Sequence, residues 1–151
     1  MNTITQKFPT IARLGLGFVF ATFGLNKLVP FLPQPPISGP PAQFFGALFA
    51  TGYMIPLIAL TEIVAGILLL SARFVPLALT LLAPVIVNIV AFHLFLAPAG
   101  IGVPTVMLAL EVYLAWTYRD VFAPMLHMRN VPRGVSAEAS GQKRLVVAEA
   151  R

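Results

Sequence analysis

Residues 75–97 contain no charged side chain. A helix over that stretch is about 34 Å long at ~1.5 Å per residue, enough to cross a hydrocarbon core of ~30 Å. Three further apolar blocks cover residues 10–29, 53–71 and 104–118. Their apolar residues run continuously instead of at amphipathic spacing, which is the pattern of bilayer-spanning helices. The composition agrees, at 58% hydrophobic and 10% charged residues, far from the balance of a soluble domain. The predicted fold is an all-α integral membrane four-helix bundle, and a soluble catalytic domain is excluded. The fourth block is short and has to draw on residues 101–103 or run on towards Phe122, with Arg119 reaching the headgroups.

The few charges predict the orientation. Lys7 and Arg13 flank the start of the first block, Arg73 lies in the short link between the second and third, and Arg119, Arg129, Arg133, Lys143 and Arg144 follow the fourth. The connections 30–52 and 98–103 carry no charge. The positive-inside rule then places both termini and the Arg73 turn in the cytoplasm, in a multi-pass membrane protein. The formal net charge of +5 reads as a topogenic signal with a lipid-facing tail, and not as nucleic acid binding. The domain plan is a cytoplasmic N-terminus over 1–9, a membrane domain over 10–122 and a basic tail over 123–151. In the tail, 120–128 is expected to continue the last helix along the membrane surface and 136–141 to be a flexible linker. The first block is read as a retained span, because Asn26 and Lys27 stand where a signal peptide would present its small-residue cleavage site.

Between the first two blocks lies PFLPQPPISGPPAQFFGALFATGY, outside the membrane in this topology. Its prolines restrict the first half to extended or turn conformations, and AQFFGALFA reads as a short interfacial helix with its aromatics in the headgroup layer. Such a loop is a lid or a docking surface. The absence of cysteine removes disulfides, thiol relays, CxxCH haem attachment and thiolate metal sites. No metal site is predicted, and any redox chemistry falls to a cofactor or a partner.

The chemistry-bearing residues are therefore the polar ones at membrane depth: Arg13, Lys27, Glu62, Asn88, His93 and Glu111, with Asn26 beside Lys27. An ionisable group there is costly, faces the bundle interior and finds a partner. On a helix turning ~100° per residue, Arg13, Gly17, Ala21, Gly24 and Lys27 share one face, and its small residues admit a neighbouring helix closely. Glu62 shares its face with Ala65 and Gly66 in the same manner. The topology predicts an internal polar pocket opening outward beneath the proline loop. Each residue also has a structural reading. Lys27 snorkels from a helix end or serves the site. Glu62 and Glu111 are either site carboxylates or structural ones, one of them paired with Lys27 or Arg13. Asn88 is interhelical glue or a ligand contact, and His93 an interfacial histidine or a ligand. Asn88 and His93, about 140° apart on an ideal helix, line one cavity only if the kink at Pro84 or a bulge turns them together.

The runs RLGLGFVFATFGLNKL, LTEIVAGILLLSARF and PVIVNIVAFHLFLAP resemble the DoxX family of small bacterial membrane proteins, related to DoxD. The likeness covers residues 13–118. It implies a four-helix bundle with cytoplasmic termini and, from the DoxD relatives, a membrane subunit associated with quinone-linked oxidation. It carries over Lys27, Glu62, Asn88 and His93, with Arg13 and Glu111 matching less closely. The cysteine pairs of redox-active relatives are missing. Three functions follow as expectations. The first is a non-catalytic accessory subunit of a quinone-linked redox or other energy-transducing complex, in which Lys27 or His93 hydrogen-bonds a quinone and Glu62 relays protons. The second is a stand-alone membrane enzyme or carrier for a small hydrophobic molecule. The third has His93 ligating haem or a pigment within a larger assembly. The partners expected are the lipid bilayer and either other membrane subunits or a homo-oligomer.

Overall fold

A computed structural model describes residues 3–33 and 36–123. These form α1 (Thr3–Leu28), α2 (Pro40–Ala50), α3 (Met54–Leu70), α4 (Val75–Phe95), a 3-10 turn at Pro98–Gly100, α5 (Gly102–Thr117) and the single turn α6 (Arg119–Phe122). Two compact units divide the chain, Met1–Arg119 and Asp120–Arg151, and of the second only the end of α6 and Ala123 are described. The linker expected at 136–141 and the rest of the tail lie outside the described residues. Among the described residues no strand occurs.

Helices α1 and α4 are long and apolar enough to cross a membrane, over Lys7–Leu28 and Val75–Phe95. Helices α2 and α3 meet at a bend of 93° and count as a third span only if taken together, and α5 is apolar but has 16 residues. Apolar residues occupy both sides of every long helix. The inward positions, such as Leu16 and Phe20 of α1, Ala59 and Leu69 of α3, Leu79, Leu82 and Ile86 of α4 and Leu114 of α5, are almost wholly buried. Outward positions such as Phe18, Leu57, Leu60, Val87, Phe95 and Trp116 are equally apolar and exposed. A helix hydrophobic all round belongs in a core or a membrane, and exposure on this scale makes the chain a membrane protein.

The most extensive packing runs between α1 and α3, which are antiparallel: Gly17 faces Gly66 and Leu69, while Gly24 faces Ala59 and Glu62. The approach is set by the absence of side chains. A Cβ on Gly66 would sit 2.6 Å from the Ala21 nitrogen and 2.8 Å from the Gly17 carbonyl oxygen, and one on Gly24 would sit 2.9 Å from the Ala59 carbonyl oxygen. Backbone atoms cannot step aside, so these positions fix how near the two helices come. Ala65, on the same inward side of α3, is fully buried.

Each end of this pair is closed differently. After α3 the Ala72 N–H donates to the Leu69 carbonyl and the Arg73 N–H to the Leu68 carbonyl, a Schellman termination with Ala72 in the left-handed region at φ 57° where glycine is usual. Phe74, at φ 53°, is a second left-handed residue and starts the chain into α4. At the opposite end, the Asn26 carboxamide oxygen accepts the Phe31 N–H at 2.9 Å and the Leu32 N–H at 2.8 Å, turning the chain out of α1. Gly52, at φ 74°, makes the corner between α2 and α3. Phe44 and Phe45 of α2 then rest on Phe92 of α4, with ring centroids 5.4 and 5.2 Å apart.

Candidate functional site: an ion pair beneath the loop helix

Lys27 and Glu62 meet because of the direction in which helical side chains lean. Every Cα–Cβ bond tilts towards its own helix N-terminus. Lys27 sits near the C-terminal end of α1 and Glu62 halfway along the antiparallel α3, so the lysine reaches down the bundle and the glutamate reaches up. The Lys27 Nζ and Glu62 Oε2 close to 2.5 Å. The glutamate side chain is 2% exposed and the lysine 29%, so the carboxylate is enclosed by the α1–α3 seam while the ammonium forms its outer face.

Outside the ammonium lies a cleft of about 260 Å³ lined by Lys27, Leu28, Leu48, Phe49, Ile55 and Pro56, with Gly52 at its corner. Leu48 and Phe49 come from α2, which makes the loop helix one wall. A lysine carries three N–H donors, and Glu62 takes one. The remaining donors belong to the wall of an otherwise apolar cleft.

The other polar residues named from sequence stand elsewhere. Arg13 shares the helix face of Lys27 but lies fourteen residues away, about 21 Å along the axis. Its guanidinium is buried and donates to the carbonyls of Leu69 and Leu70. It thus caps the C-terminal turn of α3, where a cation complements the helix dipole. Glu111 is buried on α5, and its Oε2 has no hydrogen-bond partner among the described residues. Phe8 of α1 stacks edge-on against Tyr113 at 5.0 Å, which sets the Glu111 level beside the first turns of α1, at the end away from the cleft. No hydrogen bond joins Glu111 to Glu62 among the described residues.

His93 is half-buried near the loop end of α4 and does not line the cleft. Its Nδ1 pairs with the Ile89 carbonyl at 2.9 Å, and a Cβ on Gly100 would come within 3.1 Å of its Nε2. One ring nitrogen is thus bonded within its own helix, and the Gly100 backbone lies beside the ring. Asn88 does not join the pocket expected of it. Along α4, Leu79, Leu82 and Ile86 take the inward side, and the ~100° step leaves Thr80, Pro84 and Asn88 facing outward and exposed. Pro84 lies inside a continuous helix and does not bring Asn88 and His93 into one cavity.

Sequence reasoning names Asn26 only as a polar neighbour of Lys27 and misses that it turns the chain out of α1; an asparagine just ahead of a proline-rich segment is a recognisable turn signal. The apolar walls gave no signal, since Leu48, Phe49 and Ile55 read like any lipid-facing residue.

The sequence profile of the DoxX family matches residues 8–94, more than half of the chain. The chain belongs to the DoxX family. The matched region of this DoxX protein takes in α1 to α4, with the whole Lys27–Glu62 cleft, Arg13, Asn88 and His93, and it ends before α5 and Glu111. No curated protein and no solved structure matches the chain.

Proposed function

We propose that this DoxX protein is a four-span subunit of the bacterial inner membrane that holds a quinone-type molecule in the Lys27–Glu62 cleft for a redox complex, without catalysing a reaction itself. The observation that carries the reading is a charged hydrogen-bond donor, anchored by a buried carboxylate, on the wall of an apolar cleft. A quinone ring meets Leu28, Leu48, Phe49, Ile55 and Pro56, and its carbonyl accepts from the Lys27 Nζ. Glu62, 2.5 Å behind that nitrogen, keeps the ammonium in place and can exchange a proton with it as the ligand changes charge.

In this proposal α1, α3, α4 and α5 are the spans. The two shorter ones are completed by the Schellman turn after Leu70 and by the residues flanking α5, and α2 lies along the surface after the 93° bend. The uncharged connections 30–52 and 98–103 support an outward-facing cleft, with Arg73, both termini and the basic tail in the cytoplasm.

The test is photolabelling of the full-length protein in lipid with a short-chain azido-benzoquinone, followed by peptide mapping. Label is expected on 48–56 of the native chain and lost in Lys27→Met. Label spread over α4 and α5, unchanged by Lys27→Met, refutes the site. Native mass spectrometry from membranes then separates the roles. A partner chain in fixed ratio supports the subunit. A protein isolated only with lipid favours the second reading, a stand-alone enzyme or carrier for a small hydrophobic molecule, for which the Lys27–Glu62 ion pair at the wall of the cleft is the favouring observation.

A further inference from the structure

We infer that two copies of this chain associate in the membrane through the outward face of α4, with Asn88 of each copy hydrogen-bonded to its counterpart across a two-fold axis. Asn88 lies thirteen residues after Val75 and seven before Phe95. At ~1.5 Å per residue that is about 20 Å from one end of the helix and about 10 Å from the other. A carboxamide is two bonds from its Cα and cannot reach headgroups over such a distance as lysine can. It is exposed, and no hydrogen bond links it to any described residue. Hydrocarbon offers it nothing, and an unsatisfied amide there costs several kcal/mol.

The occupant follows from the chemistry of the group. A carboxamide is both donor and acceptor and so complements itself. Two copies of one chain share one membrane topology, so their two-fold axis runs along the membrane normal and both Asn88 residues lie at the same depth. A two-fold interface also brings each residue near the axis against itself. The surroundings fit a helix–helix seam. Leu77, Leu81, Pro84, Asn88, Ala91 and Phe95 alternate at spacings of four and three, and each is exposed or half-buried. That is the heptad spacing of a packed helix pair, in which a single asparagine specifies partner and register. Ala91 and Pro84, on either side of Asn88, let the backbones approach.

The protein contains no cysteine, so single-cysteine variants of the full chain report without background. In native-like membranes, Ala91→Cys is expected to give a disulfide-linked dimer on mild oxidation. Leu60→Cys, exposed on α3, is expected to stay monomeric. Adding Asn88→Leu to Ala91→Cys is expected to weaken association about three- to ten-fold, the range of interhelical polar contacts in membranes, measured by energy transfer between labelled copies at varied lipid ratio. Asn88→Gln, which keeps the amide, is expected to restore most of it. Equal cross-linking at 60 and 91, monomers at every lipid ratio, adducts of Ala91→Cys with another protein alone, or an Asn88→Leu variant that associates like the native chain would each overturn the proposal. None of these outcomes depends on quinone binding.

Discussion

Replacing Lys27 by methionine removes the one partner of a carboxylate that the protein encloses almost completely. The glutamate side chain is 2% exposed and its Oε2 lies 2.5 Å from the ammonium. Removing one member of a buried pair costs about 3–5 kcal/mol, because the other is left as an uncompensated buried charge. The lysine is 29% exposed and borders an open cleft, so the reverse change is milder. In Glu62→Gln the side-chain oxygen still accepts from the lysine, and the expected loss is about 1 kcal/mol, that of exchanging a charged for a neutral acceptor. Removing both partners, as in Lys27→Met with Glu62→Leu, leaves no stranded charge and is expected to lie within about 1 kcal/mol of the native protein. Lys27→Met is therefore expected to be the least stable of the four, with the double variant and Glu62→Gln both close to native. The assay is reversible unfolding of the full chain by SDS titration from mixed micelles, followed by far-UV circular dichroism. At ~1.4 kcal/mol per tenfold, a loss of 3 kcal/mol is a change of more than a hundredfold in the unfolding constant, well within its range. A double variant as unstable as Lys27→Met would show that the lysine acts without the glutamate. A Lys27→Met variant within about 0.5 kcal/mol of native would show that the pair behaves as an exposed contact.

Two further expectations concern the helix seam and the turn that ends it. Gly66→Ala is expected to cost about 1–3 kcal/mol in the same titration, the usual range for overpacking, because its new Cβ meets the Ala21 and Gly17 backbone. Gly15→Ala, with nothing within 4 Å of the added atom, is expected to be neutral or stabilising. Ala72→Gly is expected to raise the thermal midpoint, since glycine adopts the left-handed conformation at φ 57° without the ~1 kcal/mol that a Cβ costs there. A lowered midpoint would refute the reading of that turn.

Much of the fold was legible because the membrane reduces the number of solutions. A helix satisfies its own backbone, so an apolar block of sufficient length has one secondary structure. The expected blocks 53–71 and 75–97 accordingly correspond to Met54–Leu70 and Val75–Phe95. That the faces carrying Gly17, Gly24 and Gly66 each admit a close neighbour was legible for a related reason, the absence of a side chain, but which helix stands opposite was not. Membership of the DoxX family was legible in the same runs.

The site was legible only in part. Periodicity gives the angle of a residue around its helix but says nothing about which helix stands opposite, or at what height. Arg13 and Lys27 share an angle, yet one caps the end of α3 and the other pairs with Glu62 near the opposite end. Asn88 was grouped with Glu62 because both are polar and near mid-membrane, but the α4 core positions Leu79, Leu82 and Ile86 turn it outward.

The sequence by itself determined that the chain is a helical membrane protein of this family, which residues carry charge into the bilayer, and which glycines mark a close seam, because hydropathy, charge and side-chain size are properties of single residues. The tertiary structure alone decided that Lys27, and not Arg13, is the partner of Glu62, that α2 walls the cleft beside them, and that Asn88 faces away. These depend on the relative height and rotation of neighbouring helices, set between α1 and α3 by the contacts of Gly17, Gly24 and Gly66 and on α4 by its buried residues Leu79, Leu82 and Ile86.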